Sequence, residues 1–167
     1  FAKPARNGLE TPWHQDGEFW PIRPLATCTV WIAIDEANKQ NGCLRIIRGS
    51  HKNRRLRKHN RVNDKKFTLH QVLDPREYEE VDAVDLELKR GQISLHDVYL
   101  LHGSKANVSS KSRRGMTLRY MPTTSVFDRR VANELHENLG VVNHSERSLF
   151  LMRGVDESKL NDFRLRL

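Results

Sequence analysis

Cysteine and long apolar runs are scarce in this chain, and its acidic residues are too few to balance the basic ones. Cys28 and Cys43 are its only cysteines, too few for a disulfide scaffold and without the paired spacing of a zinc knuckle. They read as reduced thiols, which points to the cytoplasm. The longest near-continuous apolar stretch runs from Leu25 to Ile34 and is broken by Thr27 and Thr29. A membrane-spanning helix needs ~20 apolar residues, so a helical membrane protein is excluded. No internal repeat and no low-complexity segment interrupts the chain. It begins with Phe1 and carries no secretory signal, and its first residues already read as structure. We therefore expect a piece that has lost an N-terminal segment.

What is present is polar but foldable: 37% hydrophobic and 30% charged residues, with a mean hydropathy of -0.70. At 167 residues the expectation is a single domain over residues 1–167 with a real core. Basic residues outnumber acidic ones 29 to 21, for a net charge of +8. Much of the excess lies in one run, Arg48, Lys52, Arg54, Arg55, Arg57, Lys58, Arg61, Lys65 and Lys66. Such a charge invites a nucleic-acid reading. Yet the run has no aromatic residue before Phe67 on which bases could stack, and no helix-turn-helix or finger motif accompanies it. Nucleic acid therefore ranks last among the partners. Two readings of the run stay open: a solvated loop, or a rim that attracts an anionic small-molecule substrate.

Strand signals dominate the chain. Segments 25–34, 43–47, 67–73, 84–88, 93–101 and 115–121 combine β-branched and aromatic residues, bounded by turn residues such as Gly49-Ser50, Asp74-Pro75 and Gly91. Residues 51–66 read as a basic loop, 76–81 as a short helical turn, and 131–139 as a helix. Many short strands without strand–helix alternation predict an all-β sandwich or barrel.

The chemistry concentrates in three places. In Trp13-His14-Gln15-Asp16-Gly17, an extended backbone would put His14 and Asp16 on one face, an imidazole beside a carboxylate. Alone, a His-x-Asp pair is common. In Ser94-Leu95-His96-Asp97-Val98-Tyr99-Leu100-Leu101-His102-Gly103-Ser104, His102 closes an apolar run and supplies a third ligand. Two histidines and one carboxylate make a facial triad with open coordination positions, which suits non-haem Fe(II) oxygenases. A structural zinc site is closed by four protein ligands, more often including thiolates. His96 shares strand parity with His102 and is a rival ligand. Arg113, on the next predicted strand, offers a planar cationic fork for a carboxylate. If 2-oxoglutarate is the cosubstrate, Arg113 can hold its distal end. Arg119 has the same parity and is the runner-up anchor, whereas Arg114 faces the other way. His51 reads as a turn residue, and His59 and His70 as surface or loop histidines.

As a set, His14-Gln15-Asp16, the segment from Asn41-Gly42-Cys43-Leu44-Arg45 to Gly49-Ser50-His51, and His102-Gly103-Ser104 with Arg113 resemble the phytanoyl-CoA dioxygenase family, which includes ectoine hydroxylase. The resemblance covers roughly residues 1 to 125. It implies a double-stranded β-helix (jelly-roll) fold and Fe(II), with 2-oxoglutarate and O2 as cosubstrates. It implies His14, Asp16 and His102 as iron ligands and Arg113 as the 2-oxoglutarate anchor, with Ser104 and Trp31 contacting or flanking that cosubstrate. Gly103-Ser104 after His102 also favours His102 over His96. Family members are longer, so the portion before Phe1 is expected to supply flanking elements and part of the pocket. Related halogenases have a small residue at the metal carboxylate; Asp16 here favours hydroxylation. The implied activity is hydroxylation of a small molecule at an unactivated C–H, releasing succinate and CO2. A jelly-roll module that binds metal without turnover, and a basic nucleic-acid-binding protein, are the alternatives.

Overall fold

In the computed structural model, which describes residues 1–166, the chain runs through short strands to one α-helix. In order they are β1 (Ala2–Lys3), β2 (Thr11–His14), β3 (Ile22–Arg23), β4 (Cys28–Ala33), β5 (Leu44–Ile47) and β6 (His59–Arg61). There follow β7 (Gln71–Leu73), β8 (Ala83–Leu86), β9 (Ile93–Asp97), β10 (His102–Ser104), β11 (Arg113–Tyr120), β12 (Val126–Phe127) and α1 (Arg129–Leu139). Eight strands form two four-stranded sheets, β1-β11-β4-β9 and β2-β10-β5-β8, with every pairing antiparallel. Among those eight the chain changes sheet at each step except β5 to β8, which is the route of a jelly roll. Among the described residues, no helix is long and apolar enough to cross a membrane.

Period-two burial decides which faces meet. Along β4, Thr29, Trp31 and Ala33 are buried while Cys28, Val30 and Ile32 are more open. Trp31 and Ala33 pack with Leu44, Ala37 and Cys43, backed by Ile46 and Leu86, so this core joins β4 of one sheet to β5 and β8 of the other. Trp13, on the opposite face of β2 from His14, joins Leu73 and Leu101 in a second cluster. Full burial of Leu73 and Leu101 contributes roughly 1.5–3 kcal/mol each. The two-residue β1 is held by Asn107, whose buried Nδ2 reaches Lys3 O, Pro4 O and Lys111 O at 2.8–3.1 Å. Gly115 faces Trp31 across β4 and β11, where a Cβ would stand 2.2 Å from the indole.

Several expectations from the sequence change at this level. The predicted strand 93–101 is two strands in different sheets. Asp97 accepts the Tyr99 amide on its side chain and the Leu100 amide on its carbonyl, turning the chain. Val98, Leu100 and Leu101 are buried in that crossover, which explains the apolar run without a continuous strand. Parity between His96 and His102 therefore has no structural meaning. The 51–66 segment is a loop only to Lys58; β6 then pairs with β7. Segment 76–81 overlaps two 3-10 turns, 75–77 and 80–82. The helix begins at Arg129 because Asp128 caps it, accepting from the amides of Arg130 and Val131.

Candidate metal centre

His14 ends β2 and His102 begins β10, and the two stand directly opposite in the antiparallel register. Their rings are 4.1 Å apart. Each Nδ1–H donates to a carbonyl two residues back in its own chain, Pro12 O at 2.8 Å and Leu100 O at 2.9 Å. That leaves both Nε2 lone pairs free and aimed at the same space. Asp16 does not continue the strand as the extended-segment argument expected. It opens a 3-10 turn over residues 16–18, and the turn returns its carboxylate to the two imidazoles. Asp16 Oδ1 lies 3.9 Å from His14 Nε2 and 3.8 Å from His102 Nε2. Ligand atoms of His14, Asp16 and His102 all lie within 4.8 Å of one another, and all three residues are buried.

The second carboxylate oxygen is occupied. Asp16 Oδ2 accepts Thr29 Oγ1–H at 2.9 Å and Arg119 Nη2–H at 2.5 Å. Arg119 Nε also donates to Thr29 Oγ1. His96 Nε2 is 3.6 Å from the same Oδ2, and its ring packs beside that of His102, with the centroids 4.8 Å apart. Oδ1 thus faces the histidine pair while Oδ2 is fixed by the surrounding protein, an arrangement that orients a ligand carboxylate. Burial pushes the His14 and His102 pKa values down, and the remaining charges do not reverse it. Burial alone would raise Asp16; the His96 hydrogen bond, the nearby histidines and Arg119 hold it well below the ordinary carboxylate range. Two neutral imidazoles and one ionised carboxylate are the protonation states a divalent metal needs, so this donor set fits Fe(II).

Arg113 enters at the other end of β11 from Arg119 and is 4% exposed. Its Nε and Nη2 donate to Gly42 O at 3.1 and 2.9 Å, and Nη2 lies 3.5 Å from Ser104 Oγ. Its guanidinium stands 5.4 Å from the Trp31 ring centroid. Arg113, Ser104 and Trp31 are therefore grouped, and Ser104 is on the same three-residue strand as His102. Among the described residues no carboxylate lies within ion-pair distance of Arg113. Burial lowers it to about 10. Arg119 points instead at Asp16, and Arg114 is exposed on Asp35.

Two residues here carry no assignment from the sequence, Lys3 and Gln15, and His59 differs from its expectation. Lys3 is 3% exposed and sits opposite Arg113 in the β1–β11 register, a second buried cation beside the first. Burial, then Arg113, lowers it to about 7 against the opposing charge of Glu10. A two-residue strand gives no periodicity to find it by. Gln15, wholly buried, donates to Arg55 O and Tyr99 O and accepts the Arg57 amide. It fastens the basic loop over the turn that carries Asp16. His59, expected at the surface, opens β6 with its side chain enclosed: its Nε2 accepts the Gln15 amide and its Nδ1–H donates to Arg57 O. Burial lowers it to about 4. His70 is exposed, as a loop histidine should be.

Comparison with known proteins gives a consistent family. The family model described as phytanoyl-CoA dioxygenase matches residues 1–115. A phytanoyl-CoA dioxygenase of Arabidopsis thaliana is 37% identical over 118 residues, covering 71% of this chain and 40% of that protein. A probable alpha-ketoglutarate-dependent hypophosphite dioxygenase of Stutzerimonas stutzeri is 32% identical over 123 residues, 72% of this chain and 42% of that protein. The chain spans about two-fifths of the length of the curated relatives it matches. Among solved structures, EvdO2 of Micromonospora carbonacea var. aurantiaca, complexed with 2-oxoglutarate, superposes with a TM-score of 0.61 at 27% identity. That match covers 71% of this chain and 47% of EvdO2.

Proposed function

This chain belongs to the phytanoyl-CoA dioxygenase family, and on that premise we propose that it carries the metal and cosubstrate sites of an Fe(II)- and 2-oxoglutarate-dependent dioxygenase. The reaction is hydroxylation of a small molecule: R–H, O2 and 2-oxoglutarate become R–OH, succinate and CO2. The observation that carries the proposal is the pair of carbonyl-fixed imidazoles and one carboxylate oxygen within 4.8 Å. His14, Asp16 and His102 would hold the metal, and the backbone bonds to Nδ1 keep both imidazoles in the ligating tautomer. Fe(II) bound there supplies the redox chemistry that couples O2 reduction to oxidation of 2-oxoglutarate and the substrate C–H. Thr29 and Arg119 stop Asp16 from rotating, so one oxygen stays directed at the metal.

Arg113 would take the distal carboxylate of 2-oxoglutarate. A buried guanidinium without an acidic partner is an unbalanced charge until an anion arrives, and its fork suits two carboxylate oxygens. Ser104 adds a hydroxyl beside that fork, and Trp31 supplies an apolar wall. For the substrate, a small anion is the favoured class. The Stutzerimonas relative is named for hypophosphite, and the basic loop of this chain lies over the Asp16 turn through Gln15. The free thiols Cys28 and Cys43 suit a reducing compartment, the cytoplasm.

The test is Fe(II)-dependent conversion of 2-oxoglutarate to succinate, followed by NMR, with Mn(II) binding measured by EPR. Metal binding with succinate formation supports the oxygenase. Metal binding without succinate supports a jelly-roll module that holds metal without turnover. No metal binding overturns the site.

A further inference from the structure

Burying a lysine without a carboxylate is costly, and this chain makes room to do it. Lys3 sits on β1 directly opposite Arg113 of β11 and is buried. Its stem runs between two glycines. A Cβ on Gly8 would stand 2.7 Å from Lys3 Cβ, and one on Gly42 would stand 2.9 Å from Lys3 Cδ and 3.3 Å from Lys3 Cε. A side chain at either glycine would therefore displace the lysine. The ammonium donates to Leu9 O, which engages one of its three N–H groups.

Gly42 also connects Lys3 to the cosubstrate anchor. It adopts a left-handed backbone, φ 79°, and its carbonyl accepts both Nε–H and Nη2–H of Arg113. That carbonyl fixes one edge of the guanidinium. Among the described residues Nη1 has no hydrogen-bond partner, so the other edge stays available for a carboxylate. Neither Lys3 nor Arg113 has a carboxylate within ion-pair distance among the described residues. Glu10, ahead of β2, acts on Lys3 only from farther away. Cys43, beside Gly42, is pushed up to about 11 by burial and stays a neutral thiol. Burial first and Arg113 second lower Lys3 to about 7, and an anion at Arg113 would offset the second cause.

We propose that Lys3 is a positioning residue of the cosubstrate site: its stem seats Gly42 against Arg113, and its ammonium is the second positive charge that holds the distal carboxylate of 2-oxoglutarate. The proposal deepens the oxygenase reading and rests on Arg113 as the anchor. Its consequence is a proton linkage. The carboxylate offsets the repulsion between the two cations, so the bound state favours the ammonium and binding takes up a proton above about pH 7. Affinity for 2-oxoglutarate therefore falls as pH rises from there. A methionine of similar length would fill the same space between Gly8 and Gly42 and carry no such linkage.

The test titrates 2-oxoglutarate into the Mn(II)-loaded 167-residue chain by calorimetry, between about pH 6.5 and about pH 9. Buffers of different ionisation enthalpy report the protons exchanged. Wild type should take up a fraction of a proton near about pH 8. Lys3→Met should abolish that uptake and weaken 2-oxoglutarate about tenfold at about pH 6.5, where the wild-type ammonium is charged, and by much less at about pH 9. Lys3→Arg should keep its affinity across the range and take up no proton, because a guanidinium does not titrate there. No uptake in wild type, uptake that persists in Lys3→Met, or a loss in Lys3→Met of the same size at both ends of the range overturns the proposal; the last marks a role in packing alone. Should Lys3→Met fail to fold, Lys3→Arg decides: uptake lost supports the proposal and uptake retained overturns it. No 2-oxoglutarate binding by wild type, with or without Mn(II), overturns the cosubstrate reading and this proposal with it. Binding that Lys3→Met leaves unchanged overturns this proposal alone.

Discussion

Replacing Arg113 with alanine removes a buried cation that has a carbonyl and a hydroxyl for company and no carboxylate. Two consequences have opposite signs. Burial that lowers the guanidinium to about 10 corresponds to ~3 kcal/mol against the charged form, and the variant is relieved of it. In return, Gly42 O loses both donors, and an orphaned buried carbonyl costs ~1–3 kcal/mol. The two nearly offset, so the melting temperature should move little. The binding effect has no such offset. If Arg113 pairs with the distal carboxylate of 2-oxoglutarate in this dry position, truncating one partner costs ~3–5 kcal/mol. At 1.4 kcal/mol per tenfold, that is roughly two to three and a half orders of magnitude in Kd. Titrating 2-oxoglutarate into the Mn(II)-loaded chain, followed by calorimetry, measures it directly. Arg113→Lys should restore only part of the loss, because an ammonium cannot form the bidentate fork. An unchanged 2-oxoglutarate affinity in Arg113→Ala, with a large loss in Arg119→Ala, would refute the reasoning and move the anchor to the other end of β11.

The remaining expectations concern the metal, the loop and the buried lysine. His14→Ala, Asp16→Ala and His102→Ala should each lose Mn(II) binding by EPR, whereas His96→Ala should keep it, since His96 Nε2 lies at the Asp16 oxygen that Thr29 and Arg119 already hold; the reverse pattern for His96 and His102 would exchange their roles. Gln15→Ala strips the partners from Arg55 O, Tyr99 O and the Arg57 amide, which should destabilise the chain by ~2–4 kcal/mol and expose residues 51–58 to proteolysis. Lys3, lowered to about 7, makes the unfolded chain bind more protons between about pH 7 and 10.5, so stability should rise with pH across that window. Denaturation midpoints at its two ends should show the rise in wild type and a smaller one in Lys3→Met. Neutralising Arg54, Arg55, Arg57 and Lys58 together should flatten the salt dependence of substrate encounter if the loop steers anions; equal slopes in both proteins return it to a solvated loop.

The paired strands were legible where one face is buried and the other is not. Thr29, Trp31 and Ala33 alternate with more open neighbours, and that alternation is the signal by which β4 is found. Segment 93–101 misleads because its apolar density has two physical origins. Ile93 and Leu95 are exposed residues of β9, while Val98, Leu100 and Leu101 are buried in a crossover. A count of apolar residues cannot separate the two, and only the side chain of Asp97, closing on the Tyr99 amide, marks the break. Residues 59–61 read as loop because His, Asn and Arg carry no apolar alternation; they pair with β7 in the backbone ladder.

At the metal centre spacing singles out His14 and Asp16, and the family resemblance prefers His102 to His96, yet neither gives the reason the three converge. The extended-segment argument brings His14 and Asp16 together by pleat, whereas the chain does so by ending β2 and turning at Asp16. The difference matters for what holds the carboxylate. On a strand, Asp16 would be oriented by its own ladder hydrogen bonds. At the mouth of a turn it depends on side chains from elsewhere, Thr29 from β4 and Arg119 from β11, and these two are adjacent in the β4–β11 register. Arg119 was weighed against Arg113 because both face inward on one strand, and period two is blind to position along it. Six positions along β11 part a guanidinium that fixes a candidate ligand from one that has no anion of its own. Where two like residues share a face, the fold assigns their work by which end of the strand each one occupies.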